Sequence, residues 1–266
     1  MPDERDLEDL VLFHRDGPVA IITINRPAAM NAINSAVADA IGTALDEMDS
    51  DPALHVGIIT GAGRAFCAGA DLKAFASGHR IDPTIDPEWG FAGLVQHQVS
   101  KPLIAAVNGF ALGGGTEIVL ACDLAVISAD AQLGLPEVRR GLVAAAGGVF
   151  RLPDQIPAKV AAHAIYTGSF ISPETALHWG LVNAVTPPAE VIPRALEIAR
   201  TIAANAPLAV RASKRMMSRR HDVDGSAEQA RWKMNHQEMA AIRGSHDFRE
   251  GTRAFSEKRA PLWQGR

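Results

Sequence analysis

An α/β fold built on a largely parallel sheet is predicted by two features of this 266-residue chain. Short apolar or β-branched runs at residues 19–25, 56–60, 103–107, 124–127 and 181–185 read as strands. Stretches of helical periodicity separate them, and strands joined through helices pair in parallel by right-handed crossovers. The length is long for one domain and short for two, so one α/β domain with a smaller appendage is expected.

Residues 19–25, Val-Ala-Ile-Ile-Thr-Ile-Asn, close on Arg26-Pro27, which favours a strand leaving into an extended turn. Asn34 or Ser35 can cap a helix whose apolar positions include Val37, Ile41, Leu45 and Met48, with Pro52 soon after. The strand at 56–60 ends in Gly61-Ala62-Gly63. An irregular passage is expected from Arg64 to about Pro87, then an apolar helical stretch to Val99. Residues 103–107 form a buried strand, Asn108-Gly109 a turn, and Gly113-Gly114-Gly115 the mouth of a helix with Glu117 in its first turn. A helix over about 159–166 and a helical turn at Ser172-Pro173-Glu174 separate the last two strands.

The hydrophobic fraction of 47% supplies a core, and a net charge of −4 gives no global pull toward nucleic acid or an anionic membrane. Two cysteines, Cys67 and Cys122, are too few for a disulfide framework and read as reduced thiols. The acidic start is unlike a signal or transit peptide, and no apolar run reaches membrane-spanning length, so a cytoplasmic setting is expected. Residues 211–266 hold 13 Lys or Arg against 7 Asp or Glu and look helical, with Trp232, Met234, Met239 and Phe255 available for packing. Such a basic tail can meet ligand phosphates, a neighbouring subunit or solvent.

Familiar catalytic schemes are missing. Phe66 stands where the dinucleotide fingerprint after Gly61-Ala62-Gly63 needs glycine, and there is no phosphate-binding P-loop, nucleophile elbow or His-Glu-x-x-His. The nine His, among them His97, His163 and His178, are scattered, and no metal site is indicated. An oxyanion and carboxylate scheme remains. Glycines at a helix mouth leave backbone N–H groups open to close approach, where the helix dipole is positive. Gly114 and Glu117 are three apart and share a helix face, so an N–H and a carboxylate can serve one pocket. Glu137 follows 20 residues later, after Pro136. Capping and dipole complementation are the competing readings for both acids. Asp71 reads as a helix cap, while the small residues Ala68-Gly69-Ala70 again expose backbone. Two such stretches suggest a pair of N–H donors of the kind that holds a thioester or ester oxygen as it gains charge.

Taken together these residues resemble the enoyl-CoA hydratase/isomerase (crotonase) superfamily. The motifs are Asn25-Arg26-Pro27 with Met30-Asn31-Ala32-Ile33-Asn34; residues 61–72, Gly-Ala-Gly-Arg-Ala-Phe-Cys-Ala-Gly-Ala-Asp-Leu; Asn108-Gly109 with Gly113-Gly114-Gly115-Thr116-Glu117; Leu135-Pro136-Glu137; and the tail from Glu250-Gly251 through Phe255, Glu257-Lys258-Arg259 and Pro261 to Gly265-Arg266. The resemblance implies a spiral of ββα units over residues 1–200 carrying the coenzyme A thioester site. Residues 201–266 would form a C-terminal helical region for trimerisation and coenzyme A contacts.

It further implies a homotrimer or homohexamer and an acyl-CoA thioester as substrate. No cofactor, nucleic acid or membrane partner is implied. The thioester oxygen would be held by the N–H groups of Ala70 and Gly114, and Glu117 and Glu137 would be the catalytic carboxylates. Arg26, Ala68, Asp71, Leu72, Phe255 and Lys258 would contact substrate or coenzyme A, the last two commonly from a neighbouring subunit. The activity implied is hydration of a 2-enoyl-CoA to the 3-hydroxyacyl-CoA. The alternatives are a carnitinyl-CoA dehydratase-like or isomerase activity, or a non-catalytic thioester- or RNA-binding member. The chain departs from many hydratases in placing Ala144-Ala145 where they have Pro-Gly, which alters pocket shape. Arg139 and Arg140 follow Glu137 and either face solvent or reach a polar acyl group.

Overall fold

The computed structural model describes residues 10–78, 80–218, 226–262 and 264. The acidic start at residues 1–9 and the Gly265-Arg266 end of the tail motif lie outside these.

Six strands form the main sheet: β1 (Val11–Asp16), β2 (Val19–Ile24), β3 (Val56–Gly61), β5 (Leu103–Val107), β7 (Leu124–Ser128) and β10 (Ala184–Thr186), side by side in that order. All pairings are parallel except the β1–β2 hairpin. A second sheet holds β4 (Ala65–Cys67), β6 (Phe110–Leu112), β8 (Leu133–Gly134) and β9 (Phe170–Ile171). Three successive strand pairs, β3–β4, β5–β6 and β7–β8, each give their first strand to the main sheet and their second to the small one. The chain therefore winds as a spiral of ββα-like units.

The central strands β3 and β5 are buried at every position, as parallel strands covered on both faces must be. One face meets helix α1 (Ser35–Ser50) through Val37, Ile41, Leu45 and Met48, and Asn34 caps that helix by accepting the Val37 N–H at 3.0 Å. The other face carries helix α7 (Val191–Ala203), whose Val191, Ala195 and Ala199 cover Val19, Val56, Ile58, Ile104, Ala106 and Val126.

Several expectations are corrected. The passage read as irregular contains β4 and the short helix α2 (Leu72–Ala76). The stretch expected as a helix before Val99 forms only isolated 3-10 turns, Pro87–Trp89 and Phe91–Gly93. Gly90, Ala92 and Gly93 all adopt positive φ there, and a side chain on Gly93 would meet the Ala38 carbonyl oxygen at 2.1 Å, so this segment packs backbone-first onto α1. The last strand begins at Ala184 rather than 181, because Leu181 and Val182 turn into the core ahead of the pairing with β7. Met234 and Phe255, expected to pack, are largely exposed.

Helices α3 (Gly114–Ala121), α4 (Gly148–Gln155), α5 (Ala158–Thr167) and α6 (Pro173–His178) complete the spiral, and α8 (Pro207–Ser218), α9 (Ser226–Gly244) and α10 (His246–Ser256) follow it. Helix α10 packs on the 3-10 turn Pro136–Arg140, and Trp232 of α9 joins the main core, so the C-terminal helices lie over the spiral's own loops.

Candidate active site

A cavity of about 890 Å³ opens where the loop of residues 68–70, the mouth of α3, the turn Pro136–Arg140 and helices α9 and α10 meet. Its position follows from backbone chemistry. Gly113, with φ of 57°, turns β6 into α3, and its N–H donates to the Gly134 carbonyl at 2.8 Å. The buried Thr116 hydroxyl accepts the Gly134 N–H at 2.9 Å and donates to Ala111 at 2.6 Å, stitching helix to sheet. A Cβ on Gly115 would lie 2.0 Å from the Cys67 carbonyl oxygen, so only glycine lets β4 run this close to the helix.

The two predicted N–H donors meet here. Ile33 donates to Gly69 and accepts from Asp71, at 2.9 and 2.8 Å, and the Ala70 N–H between them has no acceptor among the described residues. Gly69 has φ of 91° and lies against the Gly114 nitrogen, 3.0 Å from where a side chain would begin. The Gly114 N–H, in the first turn of its helix, has no intrahelical acceptor. Both residues face the cavity, as do Ala68 and Leu72.

Arg26 and Asp71 are placed outside its wall. They pair with each other, with both guanidinium Nη atoms 3.2 Å from Asp71 Oδ2, while Asp71 Oδ1 accepts the Ala74 N–H and caps α2. Arg26 also donates to the Ala32 carbonyl at 2.6 Å. The pair fixes the Asp71 end of the loop that presents Ala70, and the Ala68 N–H donates to the Met30 carbonyl at the other end. Phe255 and Lys258 likewise stand outside the wall formed within one chain, and both are exposed.

Glu117 and Glu137 converge on the cavity from α3 and the 3-10 turn. Glu117 is 3% exposed and its Oε1 accepts the Gly148 N–H at 2.8 Å. That oxygen therefore serves a residue outside its own helix rather than a cap of α3. Burial, then the like charge of Glu137, pushes the Glu117 carboxyl well above the ordinary range, against the pull of the Gly148 and Ala146 N–H groups and Arg151. Burial raises Glu137 too, opposed by its own backbone N–H and by Arg140. Glu137 Oε2 is sealed from solvent and has no hydrogen-bond partner among the described residues, and its Oε1 comes within 2.9 Å of a notional Cβ on Gly113. Two carboxyls sharing a pocket titrate as a pair, both shifted upward from the ordinary carboxylate range.

Sequence reasoning missed Gly148, whose donor N–H comes from a residue 31 positions away. It also missed Trp232, His236 and Phe248 as wall residues. Of the Ala144-Ala145 departure, Ala144 is buried against Gly148 and only Ala145 reaches the wall. Among the described residues no cluster of three or more His, Cys, Asp or Glu is placed to hold a metal ion.

Two backbone N–H groups beside a buried and a half-buried carboxyl, on a ββα spiral, are the groups that acid–base chemistry at a carbonyl-activated carbon needs. Residues 14–266 match the family model described as enoyl-CoA hydratase/isomerase. The chain is 41% identical over 257 residues to a carnitinyl-CoA dehydratase of Salmonella typhi, covering 95% of this chain and 97% of that one. Among solved structures it is similar to a carnitinyl-CoA hydratase from Mycobacterium avium, at 49% identity and a TM-score of 0.94, over 97% of this chain and 99% of that one. It also resembles an enoyl-CoA hydratase from Mycobacterium tuberculosis, at 42% identity and a TM-score of 0.78, with 97% and 100% covered. The chain belongs to the enoyl-CoA hydratase/isomerase family.

Proposed function

We propose that the protein is an enoyl-CoA hydratase that adds water in the syn sense to a 2-enoyl-CoA, giving the 3-hydroxyacyl-CoA, and runs the reverse dehydration through the same groups. The observation that carries this reading is the convergence of the Glu117 and Glu137 carboxyls, both raised by burial, on a cavity lined by Ala70 and Gly114. The Ala70 and Gly114 N–H groups hold the thioester oxygen as it becomes enolate-like, a contact worth roughly 3 to 4 kcal/mol per donor. Glu117 and Glu137 hold the water. One carboxylate takes its proton as oxygen bonds to the β-carbon, and the other, protonated, gives a proton to the α-carbon. No cofactor beyond the coenzyme A of the substrate is required.

The names of the similar proteins favour a second reading, a carnitinyl-CoA dehydratase, which shares this chemistry and differs in an acyl end bearing a quaternary ammonium. An isomerase manages with one carboxyl, and a non-catalytic or RNA-binding role gives no reason for two sealed acids. A homotrimer or homohexamer belongs to the proposal, supported by the exposed Leu208, Met216, Met217, Met234 and Leu262. So does a cytoplasmic setting, supported by two unpaired thiols. The test is hydration of crotonyl-CoA, followed by loss of the enoyl chromophore, in Glu117→Gln and Glu137→Gln. Near-normal turnover in either variant sinks the two-carboxyl mechanism.

A further inference from the structure

The cavity wall holds a charge that hydration of a plain enoyl chain leaves without a task. Arg140 ends the 3-10 turn three residues beyond Glu137. Side chains three apart on such a turn eclipse one another, so the guanidinium projects to the side of the Glu137 carboxyl, and both line the cavity. Its contacts within the described residues are the Phe255 ring, 4.7 Å from Cζ to centroid, and the charges of Glu137 and Arg139. Among the described residues no hydrogen bond takes up its side-chain N–H groups. Burial pulls the Arg140 pKa down, with the attraction of Glu137 only second, so this cation is under-compensated where it stands. Arg139 differs: its Nε donates to the Thr167 carbonyl at 3.1 Å and its guanidinium lies over Phe170.

Of the aromatic rings in the same wall that a quaternary ammonium could use, Phe248 packs on Phe75 at 6.1 Å between centroids and Phe91 lies against Gly114. Trp232 and Phe75 already carry the guanidinium groups of Arg151 and Arg243, at 5.4 and 5.8 Å. Besides the catalytic pair, the acids in the wall are Asp82 and Glu88, on the loop between α2 and β5.

We propose that Arg140 reads the acyl group, and that the preferred substrate is a 2-enoyl thioester whose acyl chain ends in an anionic oxygen group such as a carboxylate. This rests on the hydratase reading and adds the substrate class. Water still delivers its oxygen to the β-carbon and a proton reaches the α-carbon, while the distal carboxylate is unchanged and pairs with the guanidinium. A phosphate of coenzyme A offers the guanidinium similar chemistry, so the experiment varies the acyl group alone.

Specificity constants are measured for glutaconyl-CoA, crotonyl-CoA and crotonobetainyl-CoA with the wild type, Arg140→Leu and Arg140→Lys. Binding of the unreactive glutaryl-CoA and butyryl-CoA is measured beside them. Glutaconyl-CoA is expected to be preferred. The glutaconyl-to-crotonyl ratio should fall about 10- to 100-fold in the Leu variant, the range for a lost hydrogen bond to a charged group, and recover in part with Lys. An equal fall for all three substrates, the result for a phosphate contact or for action through Glu137, overturns the proposal. So does a wild-type preference for crotonobetainyl-CoA. If none of the three is hydrated, the hydratase reading fails, and the ratio of glutaryl-CoA to butyryl-CoA affinity still decides the role of Arg140. Arg140→Gln supplies the same comparison if the Leu variant does not fold.

Discussion

Replacing Glu117 by Gln should cost activity and add stability, and the stability gain should depend on pH. Glutamine keeps an oxygen that can accept the Gly148 N–H, which lies 2.8 Å from Glu117 Oε1, so the local packing survives. The negative charge does not. In the folded protein the Glu117 carboxyl is raised from 4.5 to about 8, chiefly by burial and next by Glu137. Between those two values the folded state holds a proton that the unfolded chain has released. Wild-type stability therefore falls as pH rises through this window and levels off above it. The variant lacks that loss. Set against it is the new amide N–H₂, a donor whose desolvation costs roughly 1 to 3 kcal/mol if it finds no acceptor. A net gain on the order of 2 kcal/mol is expected near pH 9, vanishing or reversing near pH 5. Urea unfolding across that range measures it, and crotonyl-CoA hydration should drop by about 10²- to 10⁴-fold. A stability difference independent of pH, or one that favours the wild type more as pH rises, would refute the account of a buried, repelled carboxyl.

Gly148→Ala should disturb the same acid from the other side. The new Cβ would sit 2.9 Å from the Ala144 methyl, 3.0 Å from Glu117 Oε1 and 3.0 Å from Leu135 Cδ1, so about 1 to 3 kcal/mol of overpacking is expected. A loss in kcat larger than the change in KM would place the damage at Glu117. Asp71→Ala removes both the α2 cap and the partner of Arg26, in a pair whose side chains are only 21% and 14% exposed. It should lower stability by about 2 to 3 kcal/mol and lower kcat through the displaced Ala70 N–H, checked by urea unfolding and steady-state kinetics. Cys67 is fully buried and its thiol is pushed up to about 12, so its labelling by a thiol reagent should track global unfolding; rapid labelling of the native protein at that residue would contradict the packing.

What could be read before the structure was what lies close in the chain. Gly114 and Glu117 were legible as one face because a helix repeats every 3.6 residues, and Asn34 was legible as a cap because its acceptor serves an N–H three residues on. The two-sheet winding was legible only through the family resemblance, since it depends on strands as short as β8 and β9, two residues each, which carry no periodicity. Strand β1 escaped notice because its alternation is interrupted by His14 and Arg15; the two-residue Gly17-Pro18 turn, with Gly17 at φ of 55°, was the overlooked signal. The false helix before Val99 shows the reverse failure. Its apolar residues are core residues, yet three positive-φ positions serve a backbone contact with α1 that no local pattern announces. The environment of Glu117 was equally hidden, because Gly148 and Arg151 reach it only through the packing of α4 on α3.

The lining of the cavity runs from Ala68 in the first third of the chain to Thr252 in α10. A chain growing from its N-terminus acquires both carboxyls and both backbone donors by residue 137, more than a hundred residues before α10 exists. Through that interval of synthesis, the apolar faces that α9 and α10 will cover stay open to chaperones or to sister chains. Docking of the last two helices thus closes the cavity wall, while the surroundings of Glu117 are already set by the packing of α4 on α3.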